Sequence, residues 1–160
     1  MTQHHYKATI EWTGNLGSGT SGYRDYERNH TIQAGNKPVI DCSSDPAFRG
    51  DPEKYNPEEL FLASLSSCHM LWFLHLCSVE GIIITGYRDE PAGIMMEEKG
   101  GRGYFSEVIL KPEVTVKEER MAEKLDSLHH KANKMCFIAN SCNFEIKHEP
   151  KVNIQKPNEI

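Results

Sequence analysis

The sequence predicts an α+β fold, with antiparallel β-sheets packed on one long central helix and a second, amphipathic helix. Three observations lead there. Asn56-Pro57-Glu58-Glu59 opens a run that is almost free of charge until Glu80. Stretches on both sides of that run alternate polar and apolar residues, the period of a strand with one buried face. Met121, Leu125, Leu128, Ala132 and Met135 recur three or four residues apart, the period of a helix with one buried face. Strands, helix, strands, helix and strand, in that order, suit sheets with helices segregated to one side.

Each element has its own signal. HHYKATIEW (4–12) alternates, the turn-rich GNLGSGTSG follows, and YRDYERNHTI alternates again. After QAGNKP comes the short strand PVIDC, which completes an N-terminal meander over about 4–42. SSDPAFRGDPEKY (43–55) is a polar loop with two prolines. The central helix spans about 56–80. Asn56 suits its N-cap, Pro57 its first turn and Glu59 a reciprocal capping bond, while Gly81 stops it. Residues 82–90 and 92–98 read as strands joined around Pro91. YFSEVILKPEVTV reads as one long strand with an edge or bulge at Pro112. From Thr115 the chain is expected to be helical to about 135, and NFEIKHEPKVNI supplies a C-terminal strand over about 143–154. At 160 residues these elements are expected to form a single domain.

Composition narrows the function classes. A charge of −5 with no Lys/Arg cluster argues against nucleic acid or an anionic membrane as partner. No run is read as approaching the roughly 18 apolar residues of a membrane span. The N-terminus enters a strand pattern without a secretion signal, so the cytoplasm is expected. Five cysteines, an odd number in that compartment, do not suggest a structural disulfide framework. Reactive thiol, redox pair, metal ligand and inert core residue stay open.

Several motifs carry little. Gly17-Ser-Gly19-Thr-Ser-Gly22 matches GxGxxG, but a dinucleotide site needs a helix to start there and a strand pattern follows. Arg49-Gly50-Asp51 and Asn29-His30-Thr31 matter only outside the cell. His69, His75, Cys77 and His129-His130 lack the paired spacing of a zinc site, so no metal is expected. Cys68 with His129 or His130 could form a hydrolase pair, but tandem histidines on an amphipathic helix read more simply as a solvated face. Cys42 and Cys77 read as small core residues.

Cys68 in the central helix and Cys136 after the second helix both sit among apolar residues. Burial alone would raise a thiol pKa and leave it inert, so reactivity needs a cation nearby. Arg49 lies seven residues before Asn56, and Glu58 or Glu59 could anchor it. On residue chemistry alone the two glutamates also serve as caps and Arg49 as a surface charge.

NPEELFLASLSSC, with Cys68 ten residues after Glu58, resembles the central-helix motif of the OsmC/Ohr family of thiol-dependent peroxidases. KMCFIANSCNFEI resembles that family's second cysteine motif, and the likeness runs in order from about 46 to 147. It implies an OsmC-like fold, an intertwined homodimer and a cofactor-free organic hydroperoxide reductase. Cys68 would be the peroxidatic cysteine, oxidised to a sulfenic acid, and Cys136 the resolving cysteine. A thiol or dithiol reductant, a lipoyl-type dithiol among the candidates, would recycle the disulfide. Glu58 would fix the catalytic arginine and Glu59 would keep the cap. Arg49 fits the OsmC branch, whereas Arg24 or Arg28 would fit the Ohr branch. His69 directly after the first cysteine, and Phe-Ile-Ala-Asn after the second, depart from the family pattern.

Phe48, Phe61, Leu65, Trp72 and Phe137 are the candidate walls of an apolar substrate pocket, which would favour bulky hydroperoxides. Ten residues on a straight helix place Glu58 and Cys68 about 15 Å apart along its axis. A bend or a second subunit must then bring one arginine to both. The rival within the fold is a small-molecule-binding or redox-sensing protein that turns over poorly.

Overall fold

The structure, a computed structural model, describes residues 1–156. The chain divides into two compact units, Met1–Phe61 and Leu62 onward.

In the first unit, β1 (Thr9–Trp12), β2 (His30–Gln33) and β3 (Ile40–Cys42) form an antiparallel sheet with β2 in the centre. The strands are shorter than the alternation predicts. Residues 4–8 are exposed and lie outside any strand. The chain turns at Tyr23 and Arg24, and beyond it Tyr26 bridges Asn15 while the Glu27 amide donates to the Gly14 carbonyl and the Thr13 amide to the Asn29 carbonyl. The Gly17–Gly22 segment is a looped turn in which the Asn15 carboxamide oxygen accepts the amides of Gly17 and Gly19. No helix starts there, so the dinucleotide geometry is missing.

α1 (Pro57–Val79) begins at the end of the first unit and continues into the second. Asn56 Oδ1 accepts the Glu59 amide at 2.9 Å and Glu59 Oε2 accepts the Asn56 amide at 3.2 Å, a reciprocal capping box. The helix ends at Gly81, whose φ of 69° lets the Ile82 amide turn back to the Cys77 carbonyl at 2.9 Å. By length and composition alone α1 is apolar enough to cross a bilayer, contrary to the sequence expectation. Its serines, histidines and cysteines interrupt the run to the eye, yet none carries a fixed charge. Phe73, Leu76 and Cys77 from this helix join the core of the second unit with Val114, Val116, Leu125, Leu128 and Ala132. Complete burial of a side chain such as Phe73 is worth about 1.5–3 kcal/mol.

The remaining strands form two three-stranded sheets, ordered β4-β7-β9 and β5-β6-β8. Here β4 is Ile84–Asp89, β5 Ala92–Glu97, β6 Gly103–Leu110, β7 Pro112–Val116, β8 Ile146–His148 and β9 Lys151–Ile154. Pro91, Pro112 and Pro150 stand where each of three extended stretches passes from one sheet to the other. A proline has no amide to donate, so each ladder is interrupted there. The expected single strand 104–116 is therefore two, divided at Lys111, whose amide is taken by Asp89 Oδ1. The sheets are mixed rather than purely antiparallel, because β8 runs parallel to β6 and β9 parallel to β7.

The second helix also starts later than expected. Thr115 and Val116 are held in β7 between β4 and β9. Glu118 supplies no side-chain cap, Glu119–Lys124 winds as a 3-10 helix, and α2 covers only Leu125–Met135.

Candidate active site

Cys68 and Cys136 meet in the second unit. The stripe Leu65, His69, Phe73 and Leu76 turns one side of α1 inward and leaves Cys68 half-buried at its margin. Cys136 is the C-cap of α2, 1% exposed, where the chain leaves the helix in an extended conformation. Its thiol is pushed up to about 12 by burial first, and then by a side-chain hydrogen bond with Cys68. The Ala139 amide donates to Cys136 Sγ at 3.4 Å and opposes the shift. Burial also raises Cys77, to about 12, and lifts Cys42 and Cys142. These three have no partner thiol arranged as in the Cys68–Cys136 pair.

The aromatic surroundings are uneven. Phe137, 68% exposed, meets the half-buried Trp72 edge to face at 5.6 Å between ring centroids. Leu65 is completely buried, so it stands in the core rather than in an open wall. Phe48 and Phe61 are half-buried in the first unit.

The candidate arginines lie in the first unit and differ sharply. Arg28 is enclosed by Tyr23 and Tyr26, 4.4 and 4.2 Å from the ring centroids. It donates to the carbonyls of those same two residues at 2.7 and 2.6 Å. Arg24 is exposed. Arg49 has no ion pair among the described residues, and Tyr23, at 6.0 Å, is its ring contact.

The loop that presents Arg49 is tied by its own polar groups. Asp45 caps the 3-10 turn Pro46–Phe48 through the Ala47 amide at 2.7 Å. The Gly50 amide returns to the Asp45 carbonyl and Ser43 Oγ accepts the Asp51 amide. Arg49 is the non-glycine residue with positive φ, at 66°, and such strain persists where surroundings enforce it. A Cβ on Gly50 would lie 1.5 Å from the Ser44 carbonyl oxygen, so the turn requires glycine. Arg28 and Arg49 share the lining of a surface cavity of about 360 Å³. Glu58 is half-buried on the first turn of α1, where Glu59, not Glu58, makes the cap.

Beside the thiols lies a cluster that the sequence reading missed. His69 Nε2 and His129 Nδ1 are 3.0 Å apart, and both residues are completely buried. Their rings are nearly parallel, 3° apart, and His129 stacks on Phe73 at 3.8 Å. His148 tilts against both rings, and His130, exposed, stands edge-on to His148. Tandem histidines thus divide between core and surface. The available signal was the spacing, since Leu65, His69 and Phe73, like Leu125, His129 and Ala132, fall on one buried stripe. Burial drives His69 down to about 4 and His129 to about 3, with neighbouring histidines adding repulsion. Among the described residues no group of three or more histidine, cysteine or acidic side chains could hold a metal ion.

Residues 50–151 match the model of a family described as OsmC-like protein. An uncharacterized Bacillus subtilis (strain 168) protein, YmaD, is 25% identical, over 96% of this chain and 98% of that one. A solved OsmC-like protein of unknown function from Vibrio cholerae O1 superposes with a TM-score of 0.82 at 29% identity, covering 92% of this chain and 99% of that one. A solved organic hydroperoxide resistance protein from Elizabethkingia anophelis shares the fold, with a TM-score of 0.71 at 19% identity and 95% and 99% coverage.

Proposed function

This chain belongs to the OsmC-like protein family, and from that premise we propose that it is a thiol-dependent peroxidase that reduces organic hydroperoxides to alcohols. The Cys68 thiolate attacks the terminal peroxide oxygen, the O–O bond breaks, and the alkoxide takes a proton to leave as the alcohol. Cys68 is left as a sulfenic acid. Cys136 then attacks the Cys68 sulfur. Its own proton joins the leaving hydroxide to make water, and a Cys68–Cys136 disulfide remains. An external thiol or dithiol restores the pair by exchange.

The observation that carries this reading is that the Cys136 and Cys68 side chains are close enough to interact, although they stand 68 positions apart in the chain. Burial keeps Cys136 protonated, which suits a resolving thiol, and the contact holds it against the sulfur it must attack. Arg49, with Glu58 as its anchor, is the cation proposed to favour the Cys68 thiolate, since Arg28 is already committed to its tyrosines. Trp72 and the exposed Phe137 offer apolar surface to the alkyl group of the substrate. The protein is proposed to work in the cytoplasm, without a cofactor, as an obligate homodimer that brings the arginine to the thiol; an active monomer by light scattering would remove the dimer from the proposal.

The test is a non-reducing peptide map of reduced protein after a short pulse of cumene hydroperoxide, with hydrogen peroxide at the same concentration as comparison. A Cys68–Cys136 disulfide that forms faster with the organic peroxide is the expected result. Thiols that stay free would overturn the peroxidase reading in favour of a binding protein.

A further inference from the structure

We infer that the buried His69–His129 pair is a positioning device for the thiol pair, fixing the rotation of α1 against α2 so that Cys68 and Cys136 stay within bonding reach. The inference rests on the reading of those two cysteines as the working pair. His69 is the next residue after Cys68, and His129 lies two helical turns before Cys136. The same two helical segments therefore meet twice, once through sulfur and once through imidazole.

Nearby contacts between these segments are apolar: Phe73 on His129 and Trp72 on Phe137. Apolar faces attract without fixing direction and permit small slides. A 3.0 Å bond between nearly parallel rings specifies both distance and rotation. A disulfide is equally exacting, with a sulfur–sulfur length of about 2.05 Å and Cβ atoms about 3.5–4.5 Å apart. Rotating α1 by about 20° would move a sulfur roughly 5 Å from its axis by nearly 2 Å. Such a slip would separate the thiols without unfolding anything.

The arrangement carries a cost that packing alone would not impose. The outer nitrogens, His69 Nδ1 and His129 Nε2, are buried without a hydrogen-bond partner. Aliphatic residues on these stripes would fill the same space and leave no orphaned polar atom. Both rings are neutral at neutral pH, so a single N–H is shared between them.

The experiment equilibrates the protein in a series of glutathione and glutathione disulfide mixtures and measures the Cys68–Cys136 disulfide by peptide mapping. This readout needs no peroxide chemistry. His69→Leu or His129→Leu should lower the effective concentration of the pair at least about tenfold, close to 30 mV for a two-electron couple. The double variant His69→Gln, His129→Asn places amide groups where Nε2 and Nδ1 met, and should recover most of the loss. Natively folded leucine variants with an unchanged equilibrium would overturn the assignment. Should those variants fail to fold, the single His69→Phe and His129→Phe proteins, which keep a ring but no hydrogen-bonding atom, take their place, and values equal to the unsubstituted chain overturn it equally. A protein that ignores peroxide yet shows the glutathione effect would lose the peroxidase reading and keep the positioning role.

Discussion

The loop around Arg49 and the Cys68–Cys136 pair are built by opposite means. In the loop, Ser43 accepts the Asp51 amide and Asp45 accepts those of Ala47 and Gly50, so every partner lies within eight positions, and the strained Arg49 backbone is enforced by near neighbours. At the thiols, residues 68 positions apart are joined, and they are steadied by a histidine pair 60 positions apart. A local device of the first kind survives changes elsewhere in the chain. One of the second kind is only as accurate as the packing that brings its halves together. Substitutions should therefore separate chemistry from scaffold differently in the two regions.

The largest effect belongs to the nucleophile. Cys68→Ser should lower peroxide turnover with a dithiol by more than about 10³-fold, whereas Cys136→Ser should still allow one attack and leave a sulfenic acid that dimedone traps. Equal loss of both the first attack and the trapped species in Cys136→Ser would erase the division of roles.

Next comes the local device. Arg49→Ala should cost about 10²–10³-fold in turnover, the size of losing one preorganised charge, with little change in melting temperature. Arg28→Ala should do the reverse, loosening the turn at Tyr23 and Tyr26 and lowering the melting temperature first. If Arg28→Ala abolishes turnover in a fully stable protein, the two arginines have exchanged places.

The tertiary device should show itself through pH. Both rings are held below the ordinary histidine value, to about 4 and about 3. Between pH 6.5 and 4 the unfolded chain takes up protons that the folded chain refuses. Stability therefore rises with pH across that window and is lost on acidification, by about 1.4 kcal/mol per unit for each ring. Urea titrations from pH 7 to 4.5 should show this slope, and the double amide variant should flatten it. A slope unchanged in that variant would assign the acid sensitivity to other groups.

The smallest effect is again local. Asn56→Ala removes half of the capping box and should cost about 1 kcal/mol in urea unfolding, with the disulfide equilibrium unchanged. A shifted equilibrium would mean that the start of α1 also sets the register at Cys68.

What the sequence by itself determined is whatever depends on close neighbours along the chain. The capping box at Asn56, the stop at Gly81 and the length of α1 follow from side chains bonding to adjacent backbone. The α+β class follows from alternation and helical spacing, and the two cysteine motifs were legible as a resemblance. Strand lengths were less so, since 4–8 has the alternation of a strand but lies outside any strand. Local propensity could not reveal that three prolines each pass the chain from one sheet to the other, or that β8 and β9 would pair in parallel. It could not separate His129 from His130 either, because adjacent residues on a helix point about 100° apart and only the packed neighbour decides which is buried. The Cys136 proton and the neutral histidine pair belong to that last category: their states are set by desolvation and by partners distant in sequence, and both exist only once the helices have packed.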